Sequence, residues 1–148
     1  MIMRTVAALA FVAVSANAWA AQHDSMAMEK YAAAIRKIES TGRYGITANA
    51  GRGRTALGAY QILDTNLAAW SRAALGRSVS QDEFLRSPSL QDQVFHHRFG
   101  HYVRKYGPHG AARAWLGGEG AARGGEGADR FGSTPSSYAA KFWREASR

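Results

Sequence analysis

Glu39 lies in the stretch "KIES", residues 37–40, where a charged side chain shares a face with apolar ones. It falls four residues after Ile35, on the helical stripe that Tyr31, Ile35 and Ile38 make at i, i+4 and i+7. Gly42 supplies a stop, so Glu39 belongs to the last turn. Desolvation against the apolar stripe and the negative end of the helix dipole both disfavour an ionised carboxyl. A carboxyl raised in this way is suited to donating a proton as a general acid. Ordinary pairing with Arg36 or Arg43 is the other reading that the local sequence leaves open.

Other groupings carry weaker chemistry. His97 and His101 stand at i, i+4, a spacing that can hold a metal ion, but they face away from the Phe95/Phe99 stripe and no third ligand accompanies them. No metal and no cofactor are therefore expected. "GRGRT" at 51–55 is a basic, glycine-spaced segment without a Walker-type lysine after it, which predicts an exposed loop rather than a phosphate cradle.

The elements that must position Glu39 are mainly helical. The first helix is expected to be capped by Asp24 or Ser25. Residues 43–63 break the helical period and predict turns with a little β-structure around Tyr60 and Ile62. A helix capped by Asp64 or Thr65 follows, using Leu67, Trp70 and Ala74 and closed by Gly76. Ser80-Gln81-Asp82-Glu83 reads as a capping box, and Ser87-Pro88 as the start of the longest helix. Its stripe of Phe95, Phe99, Tyr102 and Tyr106 ends at Gly107-Pro108. A shorter helix carries Ala112, Trp115 and Leu116. Residues 117–132, with seven glycines in sixteen residues, predict a flexible loop. Ser133 or Thr134 with Pro135 then opens a last helix that turns Tyr138 and Phe142 inward.

The 148 residues bound a single domain, and the absence of cysteine excludes disulfides and thiolate metal sites. Residues 1–20 read as an export signal: Arg4 as the positive region, an apolar run from Val6 to Val14 too short to span a bilayer, and cleavage at Ala20/Ala21. The domain is then 21–148, exported to the periplasm or beyond, with no membrane insertion after cleavage. A retained N-terminal anchor is the alternative. The net charge of +8 favours anionic partners. In an exported protein, cell-envelope polymer fits that charge better than nucleic acid, and no nucleic-acid partner is expected.

"ES" at 39–40, "GAYQI" at 58–62, "AWLGGEG" at 114–120 and "SSYAAKF" at 136–142 occur in a recognisable order. From Tyr31 to Phe142 the chain resembles the lysozyme-like superfamily, in particular the soluble lytic transglycosylases that cleave peptidoglycan. The resemblance implies an α+β lysozyme-like fold, a single helical domain with a small glycine-rich β insert after the catalytic helix. It implies Glu39 as catalytic acid/base and Ser40 beside it at the substrate. Gln61 becomes a sugar contact, Tyr60 an apolar wall in place of the family's methionine, and Tyr138 the residue that positions the Glu39 carboxyl. Leu116 replaces the family's asparagine, and Trp115 offers a stacking surface instead. The implied partner is the glycan strand, met by a monomer; any secretion or envelope-assembly partner is left unnamed.

Glycoside hydrolysis ordinarily uses two carboxylates. Residues 40–63 contain neither Asp nor Glu, leaving Asp64, at a helix cap, and Glu119 as candidates for the second. A lytic transglycosylase needs one glutamate, because the muramic 6-hydroxyl attacks intramolecularly. Transglycosylation is thus the expected reaction. Hydrolysis as a muramidase, or non-catalytic wall binding or assembly through a retained groove, are the alternatives.

Overall fold

The computed structural model describes residues 16–148. Most of the expected export signal, including Arg4 and the apolar run, lies outside them. Helix α1, Ala16–Ser40, begins well before Asp24 and Ser25, which lie within it rather than capping it. Alanine-rich sequence upstream has high enough propensity to carry the helix through both. Its buried face starts at Ala32 and runs through Ile35, with Tyr31 and Ile38 packed against the same core. The helix stops where Thr41 (φ 55°) and Gly42 (φ 85°) turn left-handed. Their amides return to the Lys37 and Arg36 carbonyls at 3.3 and 3.1 Å.

Three short strands follow, β1 (Thr47–Gly51), β2 (Arg54–Leu57) and β3 (Ile62–Leu63), in a three-stranded antiparallel sheet of order β1-β2-β3. Thr47 pairs with Leu57 and Ala56 with Leu63, and a register irregularity sits between Asn49 and Gly51. Of the basic "GRGRT" segment only Arg52 and Gly53 form the exposed hairpin turn; Gly51 ends β1 and Arg54 and Thr55 begin β2, half-buried, rather than lying in a loop.

Helix α2 (Asp64–Leu75) has Leu63 at its N-cap with no side-chain cap bond, so neither Asp64 nor Thr65 caps it. Asp64 already lies inside the first turn, where its charge suits the positive end of the dipole and its Oδ1 accepts the Thr65 amide at 2.8 Å. Ser80 accepts from Glu83 at the start of α3 (Gln81–Arg86), and Ser87 accepts from Leu90 ahead of Pro88. Helix α4 (Pro88–Ala122) is broken at Gly107 (φ 70°, ψ 172°), as Gly107-Pro108 predicted, and again at Gly118 (φ 76°, ψ −175°). The helix continues to Ala122, so the first third of the glycine-rich stretch is helical rather than loop. Thr134 and Ser137 form a reciprocal capping box on α5 (Pro135–Ala146).

The core is a run of aromatic rings between α1, α4 and α5. Tyr60 stacks on Phe95 at 4.2 Å, Phe95 on Phe99 at 4.9 Å, and Phe99 meets Phe142 at 5.7 Å. Tyr31 closes the run on Phe142 at 5.4 Å. The outcome is a mainly helical protein with a small antiparallel sheet placed directly after the helix that carries Glu39. No helix among the described residues is long and apolar enough to cross a membrane.

Candidate active site

Glu39 projects from the last turn of α1 into a cleft of about 520 Å³ between the sheet, the loop before α5 and α5 itself. An adjoining hollow of about 320 Å³ shares Glu39, Ala48, Gln61, Leu116, Asp129 and Phe131 with it, and extends to Arg54 and Trp115. A third, of about 510 Å³, continues past Trp115 to Arg98 and Glu119. Shared lining residues join the three into one open groove. A hollow of about 570 Å³ lies elsewhere, between α3 and the start of α4, and its acids Glu83 and Asp82 are held by Arg77 and Arg86.

The Tyr138 hydroxyl, buried on the first turns of α5, donates a hydrogen bond to Glu39 Oε1. The pairing partners that would have made Glu39 an ordinary surface acid are engaged elsewhere. Arg36 donates to the Tyr60 hydroxyl at 2.7 Å and lies 3.5 Å from Asp92. Arg43 donates through Nε to the Ser40 carbonyl at 3.0 Å. Burial therefore dominates and pushes the Glu39 carboxyl up to about 7. The Tyr138 hydrogen bond and the Lys141 charge pull it down, and the Asp129 charge pushes it further up. The result is a carboxyl poised between donor and acceptor near neutrality.

Gln61 lines both parts of the cleft holding Glu39, held at φ 53° with its side-chain amide donating to the Gly58 carbonyl at 2.9 Å. Tyr60 is not a cleft wall. It is fully buried, its ring on Phe95 and its hydroxyl donating to Asp92 at 2.6 Å. Alternation along 60–62 accounts for this: Tyr60 and Ile62 turn into the core and Gln61 between them faces the cleft, so the wall role that the resemblance implied for Tyr60 falls away. Ser40 is also buried, with its hydroxyl donating to the Arg36 carbonyl and accepting the Arg43 amide, both at 3.1 Å. It secures the helix end and has no open face for substrate. Trp115 is half-buried against Phe95, Phe99 and Trp70, donates to the Tyr60 carbonyl at 3.3 Å, and reaches the groove alongside Leu116.

Neither expected second carboxylate faces Glu39. Asp64 serves the first turn of α2. Glu119 sits at the far end of the groove, where Lys105 at 2.8 Å and the Tyr106 hydroxyl at 2.6 Å hold its carboxyl down to about 2. The acid that does line the cleft with Glu39 is Asp129, from the loop before α5. Phe131, Lys141 and Arg144 join it there. The last two follow Tyr138 at intervals of three on one helix face, a spacing that could have found them. Asp129 carries no such signal. His97 and His101 are exposed, and no group of three or more potential metal ligands occurs among the described residues.

The opposing influences on Glu39 give a pH test. If protonated Glu39 is the donor, kcat falls above a midpoint near pH 7. Tyr138→Phe removes a hydrogen bond that stabilises the carboxylate, so the limb moves to higher pH while kcat drops by about tenfold. Asp129→Asn keeps an acceptor for the loop but removes a like charge, so the limb moves to lower pH. Opposite displacements in the two pH–rate profiles are the expected result.

No protein-family model, curated protein or solved structure matches the chain.

Proposed function

We propose that the protein is an exported, lysozyme-like lytic transglycosylase that cleaves the β-1,4 bond between N-acetylmuramic acid and N-acetylglucosamine in peptidoglycan. The observation that carries this reading is Glu39 itself: a carboxyl raised to about 7, hydrogen-bonded by Tyr138 and free of a salt-bridge partner among the described residues, at the centre of an extended groove. In the first step protonated Glu39 gives its proton to the glycosidic oxygen as the bond to muramic C1 breaks. The carboxylate then takes the proton of the muramic 6-hydroxyl, O6 bonds to C1, and Glu39 is reprotonated. The product is a 1,6-anhydro sugar and no water is consumed. Intramolecularity supplies the nucleophile that an activated water would otherwise provide.

Cationic Arg54, Arg130, Lys141 and Arg144 along the groove fit a wall polymer whose peptide stems end in carboxylates. Residues 1–20, taken as an export signal, fit the same setting, and Ala20 and Ala21 on either side of the proposed cut are exposed, so cleavage there costs the core nothing. One observation favours a second reading, hydrolysis: Asp129 shares the cleft with Glu39 and could activate a water.

Mass spectrometry of soluble fragments from purified peptidoglycan separates the two. Anhydro-ended fragments, one water lighter than reducing ones and lost in Glu39→Gln, are expected. Reducing ends that vanish in Asp129→Asn would establish the hydrolase instead. Wall binding without soluble fragments would leave a non-catalytic binding protein.

A further inference from the structure

Three large apolar side chains are exposed among the described residues: Met26, Phe131 and Trp143. Met26 lies outside the groove, and Trp143 leans on the His109 ring at 4.8 Å. Phe131 differs from both, because it is 77% exposed and lines the two parts of the cleft that hold Glu39. A single exposed apolar side chain is ordinary on a protein surface. One fixed in place in the cleft that holds a buried carboxyl is not.

Two anchors fix it. Asp129 Oδ1 accepts the backbone amides of Phe131 and Ser133, both at 2.8 Å, so one carboxylate oxygen holds the turn that presents the ring. Arg130 reaches across to the sheet and donates to the Asn49 carbonyl at 3.0 Å. It passes so close to the hairpin that a Cβ on Gly51 would stand 3.3 Å from Nη1. The same guanidinium lies 4.7 Å from the Phe131 ring centroid and covers one face of it. Residues 129–131 therefore bridge from α5 to β1 as a strap, with one face of an aromatic ring backed by a cation and the ring otherwise uncovered.

We propose that Phe131 is a sugar-stacking residue, taking the C–H face of a pyranose of the glycan bound beside Glu39, with Asp129 and Arg130 as its positioning residues. The apolar C–H face of a β-linked N-acetylhexosamine matches the electron-rich face of a phenyl ring, and Arg130 behind the ring restrains its rotation. Because the turn is ordered by folding, little entropy remains to be lost on binding. The inference rests on the reading of the groove as a glycan site. It adds the residue that holds a ring next to the bond being cleaved.

The test measures binding of β-1,4-linked N-acetylglucosamine hexamer to Glu39→Gln protein by calorimetry, and KM and kcat on peptidoglycan with Glu39 intact. Phe131→Ala is expected to weaken hexamer binding by about tenfold and to raise KM more than it lowers kcat. Phe131→Trp restores both and Phe131→Leu does not. Arg130→Ala, which keeps the ring but removes its support, weakens binding by a smaller factor. Since Phe131 is exposed, none of its three substitutions is expected to move the unfolding midpoint. Full hexamer affinity and KM in Phe131→Ala, or in Phe131→Leu, would overturn the stacking role while leaving Glu39-dependent cleavage standing. Failure of the parent chain to bind the hexamer and to cleave the wall would remove both proposals together.

Discussion

Glu39→Gln is expected to lower turnover of peptidoglycan by about a thousandfold, the loss that follows removal of a positioned general acid. The same change is expected to make the protein more stable at pH 8. Glu39 is raised from an ordinary 4.5 to about 7 in the folded protein, so between these values the folded state holds more protons than the unfolded one. The advantage of the protonated carboxyl is complete below about pH 4.5 and is lost as pH rises through about 7. Above that, folding has to keep a charge in a site that disfavours it. Glutamine removes the charge and still accepts the Tyr138 hydroxyl. The unfolding midpoint should rise by roughly 5 °C at pH 8 and change little at pH 4.5. Thermal unfolding followed by circular dichroism at the two pH values, beside the activity assay, gives both numbers. A variant that loses activity and is less stable at pH 8 would mean that Glu39 is a structural partner of Tyr138 and not a poised acid.

The largest stability effect is expected at Gly58→Ala. Gly58 sits at φ +70°, and a Cβ there would lie 2.1 Å from Gln91 Oε1 and 2.6 Å from its Cδ. Gln91 is fully buried and cannot swing aside without breaking three bonds. Its Oε1 accepts the Ala59 amide at 2.8 Å, and its Nε2 donates to the Tyr44 and Phe84 carbonyls, both at 3.0 Å. One amide thus ties the turn after α1, the turn before β3 and α3 to α4. Left-handed strain, overpacking and the loss of buried hydrogen bonds together give about 3 kcal/mol or more. The midpoint should fall by roughly 10 °C. Gln91→Ala opens the space but takes the partner from the Tyr44 carbonyl and the Ala59 amide, while the Phe84 carbonyl keeps the Ser87 amide at 3.2 Å, so it is destabilising by itself. The double variant should cost less than the two single changes combined, because one clash is relieved only in the presence of the other change. Strict additivity in that cycle would separate Gly58 from Gln91. Activity should fall with stability, since Gln61 donates to the Gly58 carbonyl at 2.9 Å and loses its bearing when the turn shifts.

What the amino-acid sequence determined alone is local. The caps at Ser80, Ser87 and Thr134 were legible because a hydroxyl and the amide it bonds are three residues apart in the chain. Glu39 was legible as a carboxyl on an apolar face because helical periodicity alone puts it there, and the sheet because glycines and alternation interrupt that periodicity. Asp24, Ser25, Asp64 and Thr65 misled for the complementary reason: cap-forming types also lie comfortably inside a helix when flanking propensity extends it. The tertiary structure decided the rest. Burial of the Tyr60 ring on Phe95, capture of Arg36 by Tyr60 and Asp92, and the choice of Asp129 over Asp64 or Glu119 as Glu39's acidic neighbour all join residues far apart in sequence. Charge and hydrogen-bond energies fall steeply with distance in space and carry no trace of separation along the chain. Composition and spacing could therefore name Glu39, and the packing of α1 against α5 puts the Tyr138 hydroxyl on its carboxyl, with no cation among the described residues in an ion pair with it.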